Sequence, residues 1–249
     1  MKKVAPPLLL AGVVLAIWQA YVAISGISEQ VLPSPVEVAR ALIDSSGTLW
    51  PAAWTTVSEV LAGFAVAVAV GTLLALVLSF SRLAERAAYP WLVVSQAVPV
   101  PAIAVLVVVW FGFGIAAKVL VVALVSFFPI AVNATDGLRA ADPALLEALA
   151  SLGAGRGAQL RLARVPAALP FLFSGLRVAA ALSVIGAVFA EWVGSSGGLG
   201  YLILEYNNQV ATQQEFAAVV VLALIAIVLF AAVTLLERVA LPWRRAGSY

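Results

Sequence analysis

Whatever chemistry this chain performs, it performs without two of the most versatile side chains: its 249 residues contain no cysteine and no histidine. That removes disulfides, thiolate nucleophiles, His-ligated metals and imidazole acid-base catalysis. The lysines are Lys2, Lys3 and Lys118, and none stands in a Gly-rich Gly-Lys-Ser/Thr loop of the kind that cradles nucleotide phosphates. If ATP drives this protein, another chain binds it. The cluster Gly194-Ser195-Ser196-Gly197-Gly198-Leu199-Gly200 is glycine-rich like a phosphate cradle but follows no strand. What remains is a set of polar groups in apolar surroundings: Ser95, Gln96, Ser126, Asn133 and Ser183, with Pro99 and Pro101 close by. Each polar group either faces a path through the protein or bonds its own backbone or a neighbouring helix. The prolines remove backbone donors and bend helices, so they mark either a bend beside a polar path or a packing kink.

The elements that must position these groups are membrane helices. Hydrophobic residues make up 64% of the chain, charged residues 10%, and the mean hydropathy is +1.10. Soluble domains carry roughly 25% charge, so a water-soluble globule is excluded. Apolar runs near 7–25, 55–80, 90–112, 117–136, 168–192 and 216–237 match the ~20 residues a bilayer-crossing helix needs. The fold class is therefore all-α: a polytopic membrane protein with six transmembrane helices. Arg177 and Glu191 lie fourteen positions apart in the fifth run, about 21 Å along a helix, which puts both within snorkelling reach of opposite interfaces.

Charge sets the orientation. With a cytoplasmic N-terminus, 12 of the 14 cationic residues fall inside and only Arg40 and Lys118 outside, as the positive-inside rule requires. Both termini are then cytoplasmic. The same asymmetry accounts for the pI of about 9.2 without a nucleic-acid partner, which would need cations clustered on one solvated face. Met1-Lys2-Lys3 and the following apolar run read as an uncleaved first helix, because the run is long, holds Trp18 and Gln19, and lacks a small-residue cleavage site.

Three connecting segments carry local signals. Ser34-Pro35-Val36-Glu37 has the capping residue, first-turn proline and third-position Glu of a helix start; the helix it opens reads as a structural cover on the outer membrane surface. After the glycine cluster, Leu199, Leu202, Ile203 and Tyr206 recur at helical spacing. The longest inner connection, 137–169, opens a short helix with Asp142-Pro143, gives it Leu145, Leu146, Leu149 and Leu152 on an apolar side, and stops it at Gly153. Arg156, Arg161 and Arg164 mark a second, basic helical piece ending before Pro166 and Pro170. A solvated loop has little reason to display four leucines, so this helix reads as one that fits a partner's groove.

Glu147-Ala148-Leu149, three further residues, Gly153, and Pro166 thirteen positions on resembles the EAA loop of binding-protein-dependent ABC importer permeases. The family pattern runs Glu-Ala-Ala, three residues, Gly, nine residues, Ile, one residue, Leu-Pro; here Leu149, Ala163 and Val165 depart from it. The resemblance extends from about Leu32 to Trp243 and is similar to the nitrate, sulfonate and thiamine-precursor group, through Leu32-Pro33-Ser34-Pro35, Trp110-Phe111-Gly112, Gly175-Leu176-Arg177 and Gly198-Leu199-Gly200-Tyr201. Glu59, where many members have a basic residue, and Val184-Ile185-Gly186-Ala187-Val188 look closer to the branch for thiamine-pyrimidine precursors and riboflavin.

The resemblance implies one transmembrane permease domain over 1–249, with a core over 55–237 and the coupling loop at 137–169. It implies pairing with a second copy and docking of two cytoplasmic ATPase subunits through Glu147, Ala148, Leu149, Leu152, Gly153 and Pro166. Solute would arrive from an extracytoplasmic binding protein. ATP and Mg would sit on the ATPase, leaving no cofactor and no enzymatic activity in this chain. The location implied is a bacterial plasma membrane, and the solute a thiamine-pyrimidine precursor or riboflavin-like compound, with sulfonate, nitrate or bicarbonate as the alternative. A secondary transporter would show internal repeats and midplane charges, and a channel a filter or a pore-lining charge ring. No convincing repeat is present, Gly197-Gly198 is a thin filter, and the charges cluster at the ends of the runs.

Overall fold

The computed structural model describes residues 5–95 and 97–242, and among them the chain is helical with no strand. In order the helices are α1 (Ala5–Ser25), α2 (Pro35–Asp44), α3 (Ser46–Ser79), α4 (Arg82–Ser95), α5 (Val100–Phe111), α6 (Ile115–Arg139), α7 (Pro143–Ser151), α8 (Arg156–Gln159), α9 (Val165–Gly194), α10 (Leu199–Asn208) and α11 (Thr212–Ala240), with a π turn at Leu160–Arg164 joining α8 to α9. Among the described residues four stretches are long and apolar enough to cross a bilayer: α3, α6, Arg156–Gly194 and α11. The α4–α5 pair makes a fifth if it is one span. The first expected run coincides with α1, a 21-residue apolar helix.

Three expectations change. The run at 90–112 is not one kinked helix: the axis turns by 99° between Arg86–Ser95 and Val100–Phe111. Pro99 is the N-cap of α5, in extended backbone, and Pro101 lies in its first turn. A missing N–H costs nothing at a helix start, so two closely spaced prolines open a new helix. Next, α3 begins at Ser46 instead of 55. Thr55 and Thr56 donate to the carbonyls of Pro51 and Ala52 at 3.1 and 3.2 Å, folding the polar turns into the helix. Last, the basic piece does not end before Pro166. It runs on into α9 through the π turn, where Val165 N–H donates to the Leu160 carbonyl. The wider turn accommodates Pro166, which supplies no donor and crowds the preceding turn.

The chain divides into two compact units. One comprises the described residues through Thr56 together with Ser196–Leu224. Its α2 start follows the capping pattern: Glu37 N–H donates to Ser34 Oγ at 3.3 Å and Ser34 N–H to Glu37 Oε2 at 2.6 Å. Val38 and Ala41 face inward while Val36 and Ile43 stay exposed. Trp18 meets Phe216 with ring centroids 6.0 Å apart, and Thr212 Oγ1 donates to the Gln30 carbonyl at 2.8 Å. Leu199 and Ile203 of α10 are buried. The Leu199 N–H, at the start of that helix, donates to Thr56 Oγ1 at 2.9 Å.

The other unit comprises Val57–Ser195 and the described residues from Ile225 onward, and α6 packed on α9 is its centre. Small residues let these backbones approach. On α3, Gly63, Ala67, Gly71 and Ala75 recur every four positions, so they share a face. A Cβ on Gly63 would fall 2.4 Å from Val122 Cβ, and one on Gly71 3.1 Å from Ile130 Cγ2. On α9, Gly175 has room for no Cβ beside the Pro129 carbonyl, and Ala179, Ser183, Ala187 and Ala190 are fully buried. Between helices in lipid, close contact of this kind replaces the hydrophobic effect as the source of association.

Candidate functional site

Helix α7 is built by its ends. Asp142 Oδ1 accepts from Ala144 N–H at 2.9 Å and Pro143 occupies the first turn. At the other end Gly153 N–H donates to the Ala150 carbonyl and Ala154 N–H to the Leu149 carbonyl, both at 2.9 Å. That is the paired closure of a Schellman motif, and Gly153 adopts φ +79° to make it. Nothing lies within 4 Å of a Cβ built there, so backbone conformation, not space, demands glycine. Caps at both ends hold nine residues helical, fewer than an isolated helix sustains in water.

No residue of α7 is buried. The leucines divide: Leu145 and Leu152 are exposed, Leu152 at 84%, while Leu146 and Leu149 are half-buried. The apolar side expected from spacing is thus shared between the protein and the outside. Glu147 and Ala148 are exposed, and Glu147 forms no ion pair among the described residues. Pro166 is exposed at the start of α9.

The described candidate path residues lie on α4, on α5 and its N-cap, on α6 and on α9. Ser126 and Ser183 are fully buried in α6 and α9, donating to the carbonyls of Ala179 and Ala180. Asn133 Nδ2 donates to the Pro129 carbonyl at 2.8 Å. Ser95 donates to the Leu92 carbonyl at 2.8 Å and borders a small, mostly apolar cavity of about 140 Å³ with Val98 and Leu182. Pro99 and Pro101 are exposed, and Gln96 lies outside the described residues. The side chains of Ser95, Ser126, Asn133 and Ser183 thus all donate to backbone carbonyls.

A cluster that sequence reasoning missed lies where α3, α6 and α9 meet. Lys118 Nζ donates to Glu59 Oε1 at 2.5 Å and to Ser195 Oγ at 2.9 Å. Glu191 also reaches Glu59, and both glutamates are almost fully buried. Glu191 is thus held against side chains of the protein, and Arg177 pairs with Glu237 on α11. The available signal was that a charge inside an apolar run requires a partner.

Comparison with known proteins identifies the family. The sequence pattern of the family described as "Binding-protein-dependent transport system inner membrane component" matches residues 67–245. The chain belongs to that family. It is a non-enzymatic membrane component of an ABC transporter, and ATPase activity lies on a separate subunit. Such permeases work in complexes with ATPase and binding-protein partners. Among relatives, the formylaminopyrimidine transport permease protein ThiX of Halalkalibacterium halodurans is 37% identical over 96% of both chains. The riboflavin transport system permease protein RibX of Chloroflexus aurantiacus is 41% identical over 92% of this chain and 86% of its own. The fold is shared with a chain of the inward-facing MetNI methionine ABC transporter, at TM-score 0.68 and 20% identity, covering 79% of this permease and 97% of that chain.

Proposed function

We propose that this permease passes a small heteroaromatic solute, a thiamine-pyrimidine precursor or a riboflavin-like compound, from a binding protein into the cytoplasm of a bacterium. It works as a homodimer, with α1, the α4–α5 pair and the four longer stretches acting as six spans and both termini in the cytoplasm. Two ATPase subunits dock on α7, and closure of the ATPase dimer moves α7 and with it the helices at its two ends. The observation that carries this reading is α7 itself: a short helix capped at both ends, with no buried residue, set between two stretches long and apolar enough to cross a bilayer. The solute class draws its support from the ThiX and RibX relatives.

The test is ATP-driven uptake in vesicles that contain the permease, its ATPase and its binding protein. Uptake of the pyrimidine precursor or of riboflavin, abolished without ATP, supports the reading. Uptake of a sulfonate, nitrate or bicarbonate instead would move the solute to the alternative, and uptake without the ATPase would overturn the coupling.

A further inference from the structure

A cleft of about 770 Å³ in the unit that holds Val57–Ser195 lies between the end of α3, the end of α6, α7 and the basic stretch after it. Three guanidinium groups border it: Arg139, Arg156 and Arg164. Arg139 is engaged, lying 3.7 Å from Asp136 and stacking 4.4 Å above the Tyr89 ring. Among the described residues Arg156 and Arg164 form no ion pair and no carboxylate borders the cleft. Ser79 and Ser81 add hydroxyls, while Phe80 and Leu146 make part of the wall apolar.

We infer that this cleft binds the phosphate headgroup of an anionic glycerophospholipid. Two arginines without an ion pair among the described residues, lining one concave space, favour an anion, and their planar forks match phosphate oxygens in pairs. Depth selects the source. Ser79 is the last residue of α3, a span of hydropathy 2.6, so the cleft opens where hydrocarbon gives way to headgroups. A basic pocket between membrane helices at that depth is where anionic headgroups are held. The part-apolar wall at Phe80 and Leu146 suits the glycerol and first acyl carbons, which free phosphate lacks. Because Pro143 and Leu146 of α7 also border the cleft, a bound lipid braces that helix from behind. The binding itself is independent of what α7 docks.

The test is native mass spectrometry of the full-length permease, purified alone in neutral detergent and offered equal phosphatidylglycerol and phosphatidylcholine. The wild type retains phosphatidylglycerol preferentially, and excess inorganic phosphate does not displace it. The R156Q/R164Q variant loses that preference at least about tenfold, as two lost charge contacts imply. R156K/R164K, which keeps the charge and loses the fork, retains an intermediate preference, and R161Q, whose arginine lies outside the cleft lining, keeps it unchanged. Full retention by R156Q/R164Q would overturn the site. An equal loss in R161Q would reduce it to diffuse surface charge, and displacement by inorganic phosphate would make it a free-anion site. If R156Q/R164Q kept its lipid but no longer bound the ATPase, the arginines would belong to that partner instead.

Discussion

Lys118 Nζ on α6 sits 2.5 Å from Glu59 Oε1 on α3, with both side chains shielded from solvent, and Glu191 of α9 against the same glutamate. Charges placed this deep are costly unless paired, so the contact ties three helices together through one ammonium. Removing the cation alone leaves carboxylates without compensation. Lys118→Met is expected to cost about 3–5 kcal/mol, read as a lowered unfolding temperature in detergent. Adding Glu59→Gln should recover most of that loss. A double variant no more stable than Lys118→Met would show that the pair is not the source of the cost.

The small-residue face of α3 gives a graded expectation. Gly63→Ala forces a methyl to within 2.4 Å of Val122 Cβ and should destabilise by about 1–3 kcal/mol. Gly71→Ala, whose methyl would come no closer than 3.1 Å to Ile130, should cost less. Thermal unfolding of the two variants side by side checks the order.

Glu37 gives a pH dependence. Hydrogen bonding from the Ser34 backbone N–H, then from its hydroxyl, holds the Glu37 carboxyl below the usual carboxylate range. A lowered value in the fold means the cap's contribution is present at neutral pH and is lost as pH falls through that value. Ser34→Ala should cost about 0.5–2 kcal/mol at neutral pH. In Glu37→Gln, the part of the acid sensitivity contributed by this cap should disappear. Unfolding temperatures at neutral and acid pH compare them, and an unchanged profile in Glu37→Gln would remove the carboxylate from the cap's energetics.

How much of this was legible in the residues follows from how local each cause is. The caps at Ser34, Asp142 and Gly153 act within a turn of themselves, so spacing alone located α2 and both ends of α7. Hydropathy located the apolar runs but not their joints: it is blind to Thr55 and Thr56 bonding back into α3, and to Pro99 opening a helix where a kink was expected. Pairings between distant positions were out of reach. Glu59 meets Lys118, and Arg177 meets Glu237, across 59 and 60 positions. A charge in an apolar run announces that it needs a partner, without saying which one. The role of the path residues is equally undetermined by type, because a serine facing a pore and a serine bonded to its own helix look alike in one sequence.

For coupling, Gly153→Val should be the more damaging change and Glu147→Ala the milder. Valine at φ +79° meets a left-handed backbone cost of about 1–2 kcal/mol, concentrated on the turn that closes α7. Glu147 is exposed, and an exposed ion pair is worth under ~1 kcal/mol. Co-purification of the ATPase, with ATP hydrolysis measured with and without loaded binding protein, ranks them. Insertion and dimerisation of the permease should survive both changes.

The docking of the ATPase on α7 is tested most directly by where a cross-linker reaches. The chain has no native cysteine, so single cysteines at Leu152 and at Asn208, exposed at the end of α10, can be compared without background. In the assembled transporter in membranes, a short thiol-reactive linker should join Leu152→Cys to the ATPase and leave Asn208→Cys unjoined. Efficient cross-linking from Asn208→Cys, or none from Leu152→Cys in a transporter that still imports, would contradict the account.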